Sequence, residues 1–311
     1  MIQNAPEKTN RGYLFALSSA VFLALTSIFI SYLNIHFQLP ALVLAFWREI
    51  FVALILLVWF LIRNPKMLKG AISNLWFLAA YGLVLSLFNA FWTISVTLNG
   101  AGVATVMAYC SAAFTVILGW LILHEKLNTG KIIAVVLSLA GCALIVNAFN
   151  AEVWQLNLIG ILTGIFSGLF YAAYSLMGRS ASQRDMDPWT TLFYTFLIAA
   201  VFMLSFNLLL GDRLPGGASQ PADFFWLGDS LLGWSLLLAL AGGPTLLGYG
   251  LYNVSLQYLP SSVANLVVTI EPVFTAIVAY FILGERFTLV QILGSLLIMA
   301  GVLVIRRYNI E

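Results

Sequence analysis

Ten stretches of roughly 20 apolar residues, each bounded by polar residues, glycine or proline, dominate this chain of 311 residues. They run approximately over 12–32, 41–62, 75–98, 102–123, 130–148, 157–178, 188–210, 231–253, 262–283 and 289–306. A stretch of that length crosses a bilayer as a helix, because the hydrocarbon offers no water to the backbone's polar groups. The first is too long for the ~7–15-residue core of a cleavable signal peptide and is expected to stay in the membrane. Only 8% of the residues are charged, about a third of the share a hydrated surface carries. The sequence therefore predicts an all-α polytopic membrane protein of ten transmembrane helices whose surroundings are lipid. A net charge of +2 with no basic run leaves out nucleic acid as a partner.

Lysine and arginine set the orientation. With the N-terminus in the cytoplasm, the inner segments hold eleven: Lys8, Arg11, Arg63, Lys66, Lys69, Lys126, Lys131, Arg179, Arg184, Arg306 and Arg307. The outer segments hold only Arg213 and Arg286, and Arg48 lies within a helix. Both termini are expected in the cytoplasm of an inner-membrane protein, and the long 211–230 segment outside. That segment is polar, rich in Pro and Gly, and has no evident fold of its own.

The chain also repeats. Shifting 101–145 by 160 positions gives thirteen identities in forty-five pairs, among them Phe114/Phe274, Thr115/Thr275, Glu125/Glu285 and Gly141/Gly301. The first stretch matches the sixth at a shift of 148, with Gly12/Gly160, Ser19/Ser167, Phe22/Phe170 and Ser27/Ser175 among the pairs. An odd count of five helices per copy forces the second copy to enter from the opposite side. Two inverted five-helix repeats are thus expected, over 12–148 and 149–306, with short tails at 1–11 and 307–311. Inversion is the symmetry that alternating access uses, since it supplies two arrangements of similar energy.

The ends of the fourth and ninth stretches, AAFTVILGWLILHEKL and IEPVFTAIVAYFILGERF, each run from a proline or small residue through an apolar run to a glutamate. With the ten-helix pattern and Arg48 early in the second stretch, the chain resembles the drug/metabolite transporter superfamily, and its two-domain EamA-type members in particular. The likeness spans nearly the whole chain. Ala112 stands where the pattern has proline, and Trp47 and Glu49 beside Arg48 depart from it. The resemblance implies a secondary transporter without cofactor, exporting a small amphipathic metabolite, an amino acid or derivative before a nucleoside, cationic drug or sugar. A receptor or a membrane-embedded enzyme is the reading from another class. Against an enzyme, the chain has no Walker A loop, no G-x-S-x-G and no zinc-spaced motif. No signal for an oligomer is present.

Within the membrane a few side chains stand out. Arg48 and Glu49 lie roughly 12 Å below the outer surface, where a charge costs ~2.5–3.5 kcal/mol unless paired. Adjacent on a helix, they point about 100° apart and are expected to have different partners. Arg48 suits a carboxylate or phosphate; a structural ion pair is the alternative. Glu271 sits near the midplane directly before Pro272, where a loosened helix lining a cavity suits binding or proton coupling. Arg48 and Glu271 are expected to face one cavity. Its other candidate lining residues are Trp92, Tyr109, Ser111, Tyr174, Tyr249, Tyr252 and Asn253, with Asn89, Thr93, Tyr171 and Ser175 in the same polar clusters. Glu125 and Glu285 sit unfavourably at helix C-termini, so something must hold them. Lys126 and Arg286 are the expected partners, in a boundary or gating role. Gly160, Gly164 and Gly168 give one smooth helix face for packing, and Gly242, Gly243 and Pro244 interrupt the eighth stretch. Cys110 and Cys142 read as small buried residues, with too few partners for a metal site.

Overall fold

The computed structural model describes residues 5–38, 40–67, 74–99, 101–145, 148–150, 158–218, 220–283 and 288–310. Among these the chain is helical throughout, with no strand. The first half comprises α1 (Ala5–Phe37), α2 (Ala41–Arg63), α3 (Leu75–Asn99), α4 (Ala101–Tyr109), α5 (Ser111–Leu123) and α6 (Thr129–Ile145). The second comprises α7 (Leu158–Gln183), α8 (Pro188–Leu210), α9 (Leu231–Leu240), α10 (Leu246–Ser255), α11 (Ser261–Val268), α12 (Glu271–Leu283) and α13 (Leu289–Ile310). Seven helical spans are long and apolar enough to cross a membrane, and the other three stretches hold shorter apolar helices.

Three of the ten stretches are interrupted, the eighth where Gly242, Gly243 and Pro244 mark it in the sequence. The fourth breaks at Cys110, between α4 and α5, and the ninth at Thr269 and Ile270, between α11 and α12. Pro272 explains the second break, because its ring removes a helical N–H. The first has no proline; there the Cys110 N–H bonds the Met107 carbonyl at 3.1 Å, a tight turn of the 3-10 kind. Positions 110 and 270 differ by the same 160 that relates the repeats. In the eighth stretch a π-helical turn, Ala241–Thr245, holds Pro244 between α9 and α10. The widened turn absorbs the proline without ending the span.

The packing obeys an inverted twofold relation. α3 lies on α7 as α1 lies on α10, and α5 on α7 as α12 on α1. Two pairs are their own counterparts: α2 with α8, and α6 with α13. α6 and α13 cross at very short range. A Cβ on Gly141 would stand 2.6 Å from the Gly294 carbonyl, and one on Gly301 would stand 3.0 Å from the Ala134 carbonyl. Those two contacts exchange under the repeat relation. Small residues let backbones approach where lipid supplies no hydrophobic drive, while Ile132, Val136, Leu289, Leu293 and Leu303 of the same pair are exposed to the surroundings.

Both ends of the chain lie at one end of the bundle. The Tyr13 hydroxyl reaches the Ile305 carbonyl at 3.5 Å, and Asn128 reaches the Tyr308 carbonyl at 3.5 Å. This is called the terminal end below, and its opposite the far end. At the far end the described part of 211–230, expected to have no fold, is tied down. Leu42 N–H bonds the Gly216 carbonyl at 2.8 Å, and the Trp47 indole N–H bonds the Phe224 carbonyl at 2.6 Å. Asn207 on α8 completes the tie, accepting from Ala218 N–H at 3.0 Å and donating to the Leu42 carbonyl at 3.2 Å. Trp47 therefore anchors the segment, with its ring edge-on to Trp234 at 4.9 Å.

Because the atom facing Gly141 is backbone, it cannot move aside for a side chain. Gly141→Val is expected to cost about 1–3 kcal/mol by overpacking. A fall in the thermal midpoint of the detergent-purified protein checks this; an unchanged midpoint would refute the close crossing.

Candidate functional site

One cavity of about 80 Å³ lies in the middle of the bundle, lined from both halves of the chain. A single water needs ~10–15 Å³ of such space. Leu23 and Thr26 come from α1, Arg48 from α2, and Phe88, Asn89 and Trp92 from α3. Thr105, Ala108 and Tyr109 come from α4, Tyr171 from α7, Tyr249 from α10 and Glu271 from α12. Seven of the residues singled out in the sequence are thus together here: Arg48, Asn89, Trp92, Tyr109, Tyr171, Tyr249 and Glu271.

Arg48 and Glu49 do not have different partners. The Arg48 guanidinium donates through Nη2 to the Asn89 Oδ1 at 2.7 Å, and the Asn89 Nδ2 donates to Glu49 Oε1 at 2.6 Å. One amide thereby serves both charges. The three side chains are 3%, 0% and 1% exposed for Arg48, Glu49 and Asn89, so the bridge is made in the protein interior. Among the described residues, Arg48 Nε and Glu49 Oε2 have no hydrogen-bond partner. Arg48 borders the cavity, whereas Glu49 stands behind Asn89 outside its lining. Glu271 borders the same cavity, as does Tyr109. The break at Cys110 ends α4 just after Tyr109, and the break at Ile270 starts α12 on Glu271.

The remaining candidates form a polar layer on the terminal side. Ser111 donates to Asn265 Oδ1 at 3.2 Å, Asn265 donates to Ser175 Oγ at 3.2 Å, and Tyr252 donates to the same Oγ at 2.6 Å. Tyr174 and Tyr81 donate to Asn253 Oδ1 at 3.2 and 3.4 Å. Ser111, Tyr174, Tyr252 and Asn253 therefore bond one another's neighbours rather than line the cavity. Phe88 and Tyr171 stack at 4.9 Å on the cavity wall. The glycine face of α7 is filled by α4 and α3: a Cβ on Gly164 would meet Met107 Cβ at 2.6 Å, and Ser95 donates to the Gly160 carbonyl at 2.7 Å.

Farther toward the terminal end lies Glu125, and Lys126 is not its partner. His124, in the left-handed region at φ 52°, turns the chain away from the end of α5. The carboxylate is carried from an unfavourable C-terminus to the favourable N-terminus of α11. It accepts from the Ser261 N–H and hydroxyl at 2.6 Å each, from the Ser262 N–H at 3.3 Å and from the Ser262 hydroxyl. Lys131 Nζ donates to it at 3.4 Å. Burial pushes the Glu125 carboxyl up, but the bonds from Ser261 and Ser262 and the charge of Lys131 outweigh that and hold it below the usual carboxylate range. Glu285 and Arg286 lie outside the described residues.

Sequence reasoning placed Asn89 and Tyr171 among the polar clusters without a role, and passed over Tyr81, Thr26, Phe88, Thr105, Asn265, Ser261 and Ser262. Asn265 did carry a signal: an amide near the start of an apolar stretch, level with Ser111 and Ser175 of other stretches.

The comparisons agree on one family. The EamA-like transporter family matches residues 10–147 and again 158–307. The uncharacterized inner membrane transporter YicL of Salmonella typhimurium is 26% identical over 306 residues, 96% of this chain and 95% of that protein. A probable amino-acid metabolite efflux pump of the same organism is 28% identical over 85% of each chain. An uncharacterized transporter of Archaeoglobus fulgidus is 27% identical over 72% of this chain and 76% of its own. A solved crystal structure at 15% identity shares the fold, with a TM-score of 0.75 over 96% of this chain and 98% of that one.

Replacing the Asn89 amide by an isosteric apolar group strands a donor of Arg48 and an acceptor of Glu49. Asn89→Leu is expected to cost about 1–3 kcal/mol for each stranded group. Thermal unfolding in detergent reads this directly, and a midpoint equal to that of the parent would show that the bridge holds nothing.

Proposed function

Since the chain belongs to the EamA-like transporter family, whose named relatives are transporters and not enzymes, we propose that it exports a small amphipathic metabolite across the inner membrane. An amino acid or derivative is the favoured cargo, and proton exchange the driving reaction. The observation that carries the reading is that Arg48 and Glu271 border the same cavity among aromatic rings. Asn89 ties Arg48 to Glu49, so those two charges offset each other. The carboxylate of Glu271 is then the unbalanced charge of the cavity. A cargo carboxylate would take the Arg48 guanidinium where it borders the cavity. A cargo ammonium and a proton would compete for Glu271, which links outward passage of one to inward passage of the other. The rings of Trp92, Tyr109, Tyr171 and Tyr249 supply apolar contact and a π-face for a cation. The printed name of the 28%-identical efflux pump supports the same cargo class.

Under this reading the segments 12–148 and 149–306 act as the two halves of an alternating-access machine, and the terminal end is cytoplasmic. The orientation rests on eleven basic residues against two. A single cysteine at Gln220 is expected to react with an impermeant maleimide in intact cells. Reaction only after lysis would reverse the topology.

Transport itself is tested in proteoliposomes with a panel of amino acids, nucleosides, cationic dyes and sugar phosphates. Pulling flux of amino acids under a proton gradient is expected. Flux of sugar phosphates alone would overturn the cargo class. Glu271→Gln keeps the shape and removes the charge, so proton-driven flux should fall at least roughly tenfold while cargo binding partly survives. Unaltered flux of that variant from about pH 5.5 to 8 would make Glu271 a structural brace.

A further inference from the structure

Between the cavity and the terminal end, one face of α5 runs through Ser111, Thr115 and Gly119, all buried. It starts at the polar layer and finishes against Glu125, whose Oε2 lies 3.1 Å from where a Cβ on Gly119 would stand. Glu125 belongs to the first family match and Ser261 and Ser262 to the second. Four hydrogen bonds on one carboxylate thus cross between the halves at the terminal end, and Lys131 of the first half adds a fifth. Beside them, Arg179 of α7 donates to the Leu256 carbonyl at 2.7 Å, so the end of α10 is fastened at the same level. This clasp lies on the terminal side of the polar layer, between it and that end of the bundle.

We propose that Glu125, held in place by Lys131 and bonded to Ser261 and Ser262, is the latch of the terminal-end gate, and that opening of the cavity to that side requires the bonds to Ser261 and Ser262 to break. The proposal rests on the transport reading and adds to it a residue set and an order of events. Three features single out a latch from a brace. The bonds join the two halves that must part, rather than neighbours within one half. They converge on one acceptor, so a single rotation of Glu125 releases them together. The partner groups are not doubled by the repeat relation either: a shift of 160 sets Ala101 and Gly102 against Ser261 and Ser262, and Gln291 against Lys131. The counterpart positions thus lack these hydroxyl and ammonium donors.

The test needs no cargo, so its failure is separable from failure of the transport reading. In a chain with Cys110 and Cys142 replaced by serine or alanine, Thr115→Cys reports the terminal-side route and Thr105→Cys the far side of the cavity. Each is labelled with an impermeant maleimide in inside-out and right-side-out vesicles. Adding Glu125→Ala is expected to speed labelling of Thr115→Cys from the terminal side roughly tenfold and to slow that of Thr105→Cys, as a shift between two states requires. The paired change Ser261→Ala and Ser262→Ala keeps both backbone N–H donors and should give the same pattern at smaller amplitude. It serves as the decisive variant if Glu125→Ala, which leaves Lys131 unpaired, fails to fold. Faster labelling of both reporters would mean general loosening and would overturn the latch, as would no change in either.

Discussion

A helix surrounded by hydrocarbon can give none of its polar groups to water, so each buried donor, acceptor and charge has to be met by another part of the same chain. That requirement runs through every functional feature described here. Arg48 and Glu49, adjacent on α2, are both met by the one amide of Asn89. Asn207 meets a carbonyl of α2 and an N–H of the far-end segment. Glu125 leaves its own helix end to find the N-terminus of α11.

The inverted relation explains why the cavity lies where it does. α3 meets α7 and α1 meets α10 in equivalent ways, and the cavity occupies the space between those two contacts. The breaks at Cys110 and Ile270 bring Tyr109 and Glu271 to it from corresponding helices of the two halves. Symmetry of backbone is combined here with asymmetry of chemistry: a tyrosine and a carboxylate are delivered by the same architectural device.

Much of the architecture is legible in the residues. Stretches of about twenty apolar residues and a constant shift of 160 follow from the bilayer's thickness and from duplication, and both leave regular marks on a sequence. The depth of Arg48 and of Glu271 follows from counting along a helix. The break at Cys110 was not legible, because no proline marks it and the i−3 turn there is imposed by packing. The bridge through Asn89 was hidden for another reason: it joins residues 40 and 41 positions apart, and helix geometry alone suggested that neighbouring charges diverge. The nearest basic residue in sequence, Lys126, was the natural partner for Glu125. The left-handed turn at His124 redirects the carboxylate to residues 136 and 137 positions away. Trp47 looked like a departure from a pattern until its indole was seen to hold the Phe224 carbonyl.

The crossing of α6 and α13 has a geometric consequence of its own. If the two halves exchange conformations, every contact between unlike helices is traded for its mirror role, as α3 on α7 is for α1 on α10. The contact of Gly141 with Gly294 is traded for that of Gly301 with Ala134, which belongs to the same pair of helices. The operation therefore maps this interface onto itself. It is a fixed point of the exchange, as the pair of α2 with α8 also is, a seam that can stay shut while contacts such as α3 on α7 change partners.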